Sequence, residues 1–176
     1  MTEEEKTAID RVLAGDTSAF ADIVRRWQGP LVNLAYRYCR DQAKAEDLAQ
    51  EAFLRAFRGL ASWRRDAAFS TWLFALATNV YRDEMRRYTP KFVAEDEHDE
   101  ATRSTEDAVN DADRRTLVHK ALRSLPLSYR EPLLLFYFHE QNLAETARTL
   151  ALPEGTVKAR LSRGRALLES KLANRL

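Results

Sequence analysis

Residues 142–172, NLAETARTLALPEGTVKARLSRGRALLESKL, leave a folding chain few choices, because two helical repeats stand on either side of a very short turn. Asn142 followed three residues later by Glu145 has the form of a capping box, so a helix should open there. Leu143, Ala147 and Leu150 give that helix one apolar stripe, and Leu152-Pro153 begins the next helix. In the second helix Val157, Leu161, Gly164, Leu168 and Leu172 recur at helical spacing and turn inward together. Lys158, Ala159, Ser162 and Arg163 then face outward, flanked by Arg160 and Arg165, with Thr156 in the first turn.

Residues 153–176 carry six Lys or Arg against Glu154 and Glu169, a local excess of four positive charges. Duplex phosphate rewards such an excess through counterion release, and a capped helix, a tight turn and an outward basic helix together form a reader of the major groove. Thr156, Lys158, Ala159, Arg160, Ser162, Arg163 and Arg165 are therefore the candidate duplex contacts. A solvated surface helix would need only the charges, not the cap and turn as well.

The rest of the chain is helical in pattern. With only five Gly and five Pro in 176 residues and Leu, Ala and Phe repeated every three or four positions, the expectation is an all-α protein. Helices are expected over residues 3–14, 17–27 and 31–40, with Gly29-Pro30 breaking the chain between the second and third. Asp41 should cap a long helix reaching Arg58, and a polar loop with Arg64, Arg65 and Asp66 should lead to a helix over residues 69–88, ending before Pro90. Residues 113–125 form an amphipathic pattern, and Ser128 with Glu131 suggests a second capping box opening a helix over 129–138.

The net charge of +1 averages very unequal segments, since residues 94–113 hold nine Asp or Glu against the single Arg103. Together with Pro90 and few large apolar residues, that stretch cannot bury enough surface to order itself and reads as a flexible acidic linker. Two small helical domains follow, residues 1–90 and 113–176, joined by residues 91–112. No apolar run approaches a membrane span, and the acidic start MTEEEKTAID is unlike a signal peptide, so the chain is expected in the cytoplasm without membrane insertion. Cys39 is alone and is expected in a core, while His98, His119 and His139 lack partners at ligand spacing, so no metal and no cofactor is expected.

In the N-terminal half, Leu73, Leu76, Ala77 and Val80 form one stripe of the 69–88 helix, and Ala75, Asn79, Arg82 and Arg86 form another that is polar and basic. Trp63, Phe69, Trp72 and Tyr81 lie near it in sequence, and aromatic faces beside amide and guanidinium donors suit an unstacked base, although Trp72 itself is expected in the core. In the preceding helix Leu48, Ala52, Phe53 and Ala56 are set to bury, which leaves Glu46, Asp47, Gln50, Glu51 and Arg55 for solvent or a protein partner.

The order of these pieces resembles the extracytoplasmic-function sigma factors, the smallest sigma-70-type promoter-specificity subunits of bacterial RNA polymerase. AEDLAQEAFLRAF from Ala45, FSTWLFALATNVYRDEMRR from Phe69, LRSLPLSYREPLLLFYF from Leu122 and LPEGTVKARLSRGRALL from Leu152 carry the resemblance, which spans nearly the whole chain. It implies that residues 1–90 are sigma region 2 and residues 113–176 are region 4. Asp47, Gln50 and Glu51 match where the family docks on the clamp helices of the polymerase, and the flap is the expected second contact. Trp63, Arg64, Arg65, Asp66 and Ala67 match the loop that captures a flipped minus-ten base, with Asn79, Arg82 and Arg86 on the helix beside it. Lys158, Ala159, Ser162 and Arg163 match the positions that face the minus-thirty-five groove. Ala159 stands where relatives commonly have Ser, and Arg65 where the loop often has Gly.

The resemblance implies core RNA polymerase, promoter DNA and an anti-sigma factor as partners, a chain that is monomeric when free, and no enzymatic activity. Binding energy would favour open DNA, and two weak sites would become selective when the polymerase fixes their spacing. A stand-alone helix-turn-helix regulator is the alternative, but it would ordinarily need a dimer, and no dimerisation helix is apparent. A nuclease-like enzyme would need convergent carboxylates, which here cluster in the linker.

Overall fold

The computed structural model describes residues 2–88 and 111–173, and the expected linker lies mostly outside them. Among the described residues there are eight α-helices and no strand. The first four are α1 (Glu3–Leu13), α2 (Phe20–Cys39), α3 (Gln42–Gly59) and α4 (Phe69–Tyr88). After the undescribed stretch come α5 (Asp111–Arg123), α6 (Leu127–Leu133, running on as a wider π turn through Leu134–Phe138), α7 (Leu143–Leu150) and α8 (Glu154–Ala173).

Gly29-Pro30 does not break the chain: α2 runs through both. An interior proline costs a helix about 3 kcal/mol and a glycine about 1 kcal/mol. Against that, each fully buried leucine contributes about 1.5–3 kcal/mol, and α2 buries Ile23, Leu31, Leu34, Ala35 and Tyr38 on one continuous stripe. Arg26, whose carbonyl would have received the missing N–H, is exposed and can use water instead. The helix ends at Arg40, which takes a left-handed φ of 63°. Asp41 then caps α3 as expected, its side chain accepting from the Lys44 N–H at 3.0 Å.

The second expected capping box does not form. Pro126 precedes the first turn of α6 and Ser128 makes no cap bond, so the helix starts earlier than the Ser128 signal implies. Glu131 is thereby turned inward to only 4% exposure. Phe69 and Tyr81 are also fully buried, and the Tyr81 hydroxyl donates to the Leu31 carbonyl at 3.1 Å, so the expected aromatic platform is largely core. Trp72 is half-buried against that core, as is Cys39, whose thiol faces the Asp41 carbonyl at 3.3 Å.

The two halves pack on one another. Leu134, Leu135 and Leu150 belong to the same apolar cluster as the residues buried among α1 to α4, while Leu122, Leu125, Leu133, Ala147, Val157 and Leu161 form a second, smaller cluster beneath α8. At the seam His139 stacks near Phe74, ring centres 4.9 Å apart, and the Thr149 hydroxyl approaches the Thr71 carbonyl at 3.5 Å.

Candidate nucleic-acid interface

The α7–α8 pair is built as its sequence suggests. The Asn142 N–H donates to Glu145 Oε2 and the Glu145 N–H to Asn142 Oδ1, both at 2.9 Å, so two orphan donors are satisfied at once. At the far end Ala151 adopts a left-handed φ of 53°, and the Leu152 N–H donates back to the Ala147 carbonyl at 2.9 Å, a Schellman ending that reverses the chain within three residues. Val157 and Leu161 then anchor α8, and Gly164 sets how closely it crosses α6. A Cβ at Gly164 would stand 3.0 Å from Leu133 Cδ1 and 3.3 Å from the Tyr129 carbonyl oxygen.

That seating leaves Lys158, Ala159, Ser162, Arg163 and Arg165 exposed, with Thr156 and Arg160 half-buried. Among the described residues none of Lys158, Arg160, Arg163 and Arg165 has a carboxylate within 4.0 Å. An exposed row of cations without intramolecular counter-charge is the arrangement that phosphate neutralises.

The loop between α3 and α4 is more constrained than its polar sequence suggests. Trp63 is only 8% exposed and packs edge-on to Phe69, so it is a pivot under the loop rather than a free stacking face. Its indole N–H is buried without an acceptor among the described residues. Arg65 takes a φ of 59°, the conformation glycine adopts most easily, and its guanidinium donates to Asp10 Oδ1 at 2.5 Å, tying the loop to α1. Arg64 and Asp66 are exposed and Ala67 is half-buried. On α4, Asn79 and Arg86 are exposed, Arg86 Nη1 lying 3.9 Å from Asp83 Oδ1.

Arg82 is placed differently from its neighbours on that stripe. Its Nε and Nη2 donate to the two oxygens of Glu131 at 2.6 and 2.5 Å, and the Tyr38 hydroxyl donates to Glu131 Oε1 at 2.7 Å. The bond to Glu131 holds the Arg82 guanidinium above its ordinary pKa, and burial first and Glu131 second push the Tyr38 phenol well above its own. Arg82 and Tyr38 come from the first half and Glu131 from the second, so this is an ionic latch between them. Sequence reasoning missed it because Glu131 was assigned to a local cap, and nothing local announces a contact 93 residues away.

A third surface lies between α2 and α3. Asp47 and Gln50 are exposed, and Glu51 is half-buried and bonded to Arg55 Nε at 2.7 Å. Asp47 and Gln50 rim a groove of about 780 Å³ whose floor includes Phe20, Val24, Phe53 and Phe57. Leu54 and Phe57 are 46% and 38% exposed there, apolar residues that the sequence reading left out because they stand off the buried stripe. A spacing of three between two large apolar residues outside the core face was the available signal.

These surfaces are those of a helical DNA-binding protein that carries a separate groove with an apolar floor. Residues 23–90 match the family described as Sigma-70 region 2, and residues 115–168 match Sigma-70, region 4. The chain is 35% identical over 179 residues to the ECF RNA polymerase sigma factor SigW of Bacillus subtilis, covering 95% of this chain and 96% of the relative. It is 32% identical over 182 residues to the RNA polymerase sigma-H factor of Pseudomonas aeruginosa, covering 97% and 94%. In fold it is similar to CnrH, solved in complex with the cytosolic domain of CnrY, with a TM-score of 0.74 at 24% identity, 98% of this chain and 99% of that one being covered.

The chain belongs to the sigma-70 family and is a sigma factor of the extracytoplasmic-function type, which recognises promoters for RNA polymerase at initiation. Proteins of this family are initiation factors rather than enzymes. No helix among the described residues is long and apolar enough to cross a membrane.

Proposed function

We propose that α8 reads the minus-thirty-five element, with Lys158, Ser162 and Arg163 reaching base edges and Thr156, Arg160 and Arg165 holding phosphates. The observation that carries this reading is the largely exposed cationic face of α8, which has no carboxylate within 4.0 Å among the described residues. Ala159 has no hydroxyl to donate and contacts a base only through its methyl group, as in apolar readout of thymine. The loop carrying Trp63, Arg64, Arg65, Asp66 and Ala67 captures a base flipped from the minus-ten element, and Asn79, Arg82 and Arg86 hold the adjacent single strand. Asp47, Gln50 and Glu51, with the apolar floor beside them, dock on the clamp helices of core polymerase, and residues 113–176 reach its flap. The chain works in the cytoplasm.

Arg82 cannot both hold Glu131 and bind DNA. Engagement of the minus-ten strand therefore requires the two halves to part, and polymerase supplies the differential binding energy that favours the parted form. An anti-sigma partner that grips both halves would act in the opposite sense. An anti-sigma partner as such is supported by a fold neighbour, the sigma factor RpoE of Bartonella quintana solved with the anti-sigma factor NepR, which shares a TM-score of 0.67 at 23% identity.

The test is a gel shift on promoter duplex with and without core polymerase. Weak binding by the chain alone and tight, sequence-specific binding with polymerase is the expected result. Tight specific binding without polymerase would favour a self-sufficient helix-turn-helix regulator.

A further inference from the structure

Beside the latch, the seam between the halves holds a pocket of about 380 Å³ with an unusual electrostatic character. Arg37 and Arg40 stand on its α2 wall, and His119, Arg123 and Arg130 on the wall made by α5 and α6. No carboxylate lines it among the described residues, and none of the four arginines has one within 4.0 Å there. Other arginines of this chain that lie at contacts between elements do have acidic partners: Arg82 with Glu131, Arg65 with Asp10 and Arg11 with Asp16.

Arg37, Arg40 and Arg130 contact neutral groups, and Arg130 also lies within electrostatic reach of the Glu131 carboxylate. Arg37 Nη1 lies 3.2 Å from His119 Nδ1, and its guanidinium sits 4.1 Å over the Phe138 ring. Because arginine only donates, His119 accepts there through an unprotonated Nδ1 and adds no charge. Arg130 Nη1 donates to the Arg123 carbonyl at 3.2 Å, while its Nε is buried with no acceptor among the described residues. Arg40 and Arg123 are exposed at the rim, as is Tyr36, 40% exposed, with the Arg40 guanidinium 5.9 Å from its ring centre. Arg37 and Arg130 are half-buried, and partly desolvated cations on opposite walls of a cleft favour a negative charge between them.

We propose that this pocket binds a small polyphosphate anion, and that the anion bridges the two halves and stabilises their closed arrangement. Four guanidiniums offer paired donors to at least two phosphate groups, the geometry arginine matches best. The volume lies within the range of small-ligand sites and is far too small for a duplex. Free inorganic polyphosphate and the phosphate chain of a nucleotide share this chemistry; in the second case the exposed Tyr36 ring gives a base a face to stack on. Since each half supplies two arginines, the closed form binds the anion more tightly than the parted form, and by linkage the anion favours closure. Binding stands independently of the promoter reading; an effect on initiation would rest on it.

Isothermal titration of the whole chain with inorganic tripolyphosphate, and separately with GTP, at constant ionic strength tests this. One site per chain is expected, with affinity falling at least tenfold in Arg40→Gln and in Arg123→Gln, two exposed positions on opposite walls. GTP binding more tightly than tripolyphosphate, with the gain lost in Tyr36→Ala, assigns a nucleotide; equal binding assigns the phosphate chain alone. A parallel titration of a chain whose acidic residues 95–107 are changed to Asn and Gln removes competition from its own carboxylates. No binding in either chain overturns the proposal, as does affinity unchanged by both arginine variants. Binding that leaves amide exchange across α4 and α6 unaltered overturns the bridging.

Discussion

Glu131→Gln and Arg82→Gln remove opposite ends of the same latch, so they should act alike on closure and oppositely on single-stranded DNA. In Glu131→Gln one bond from Arg82 is lost because the amide nitrogen cannot accept, and the other, still made by the charged guanidinium, loses its anionic acceptor. A bond to a charged group contributes about 1.5–3 kcal/mol, so losing one of the two amounts to about 2 kcal/mol. At 1.36 kcal/mol per factor of ten, that shifts the closed-to-parted ratio about 30-fold. Arg82→Gln leaves the Glu131 carboxylate, 4% exposed, with only the Tyr38 hydroxyl, and breaking a buried pair in this way costs about 3–5 kcal/mol. Dyes on α1 and α8 should report wider separation in both variants. A fluorescent single strand carrying the minus-ten sequence should bind more tightly to Glu131→Gln, where Arg82 is released, and no more tightly to Arg82→Gln, where the donor is gone. A change of DNA binding in the same direction in both variants, or dyes that move in neither, would refute the latch.

Four further outcomes are expected. Ala151→Gly should raise stability by about 0.5–1 kcal/mol, since a left-handed non-glycine residue costs about 1–2 kcal/mol and glycine's own entropy offsets part of the gain; thermal melts of the two chains measure it. Gly164→Val should lower the melting temperature, because its side chain meets Leu133 and the Tyr129 carbonyl; overpacking typically costs about 1–3 kcal/mol, and Gly164→Ala should cost less because alanine favours the helix. Arg165→Ala, at a position assigned to phosphate, should weaken minus-thirty-five binding and reduce the slope of log affinity against log salt by about one, read from titrations at several salt concentrations with polymerase present. Finally, burial first and Arg37 second depress the His139 pKa to about 4. A folded pKa below the ordinary 6.5 means the unfolded chain takes up the proton first, so this histidine leaves stability intact above pH 6.5 and erodes it as pH falls towards 4, by at most about 1.4 kcal/mol per pH unit. His139→Phe should flatten that part of the pH profile of chemical denaturation.

What the sequence made legible was local. The Asn142 and Glu145 cap, the apolar rows of α7 and α8, and the Asp41 cap each depend on residues within a turn or two of one another, and each is present in the structure. The outward face of α8 followed from that periodicity because one buried stripe fixes the opposite one. Where two local signals competed with distant packing, packing decided. Pro30 was overridden by the buried stripe of Leu31, Leu34 and Tyr38, and Glu131 was drawn from a cap to Arg82 by a contact 49 residues apart. Trp63, Phe69 and Tyr81 illustrate the same limit, since aromatic spacing is identical whether rings stack on a base or fill a core. The groove beside Asp47 was half legible: its polar rim showed, whereas Leu54 and Phe57 became visible only with α2 packed alongside.

The claim beneath all of this is that the chain directs RNA polymerase to particular promoters through two surfaces set at a fixed spacing. Run-off transcription with purified core polymerase on genomic fragments, followed by sequencing of the RNA 5′ ends, measures it directly. The account predicts a limited set of start sites, each preceded by a shared pair of elements at constant separation and lost when Asp47 and Gln50 are changed to Lys. Transcripts no different from those of core polymerase alone would contradict it.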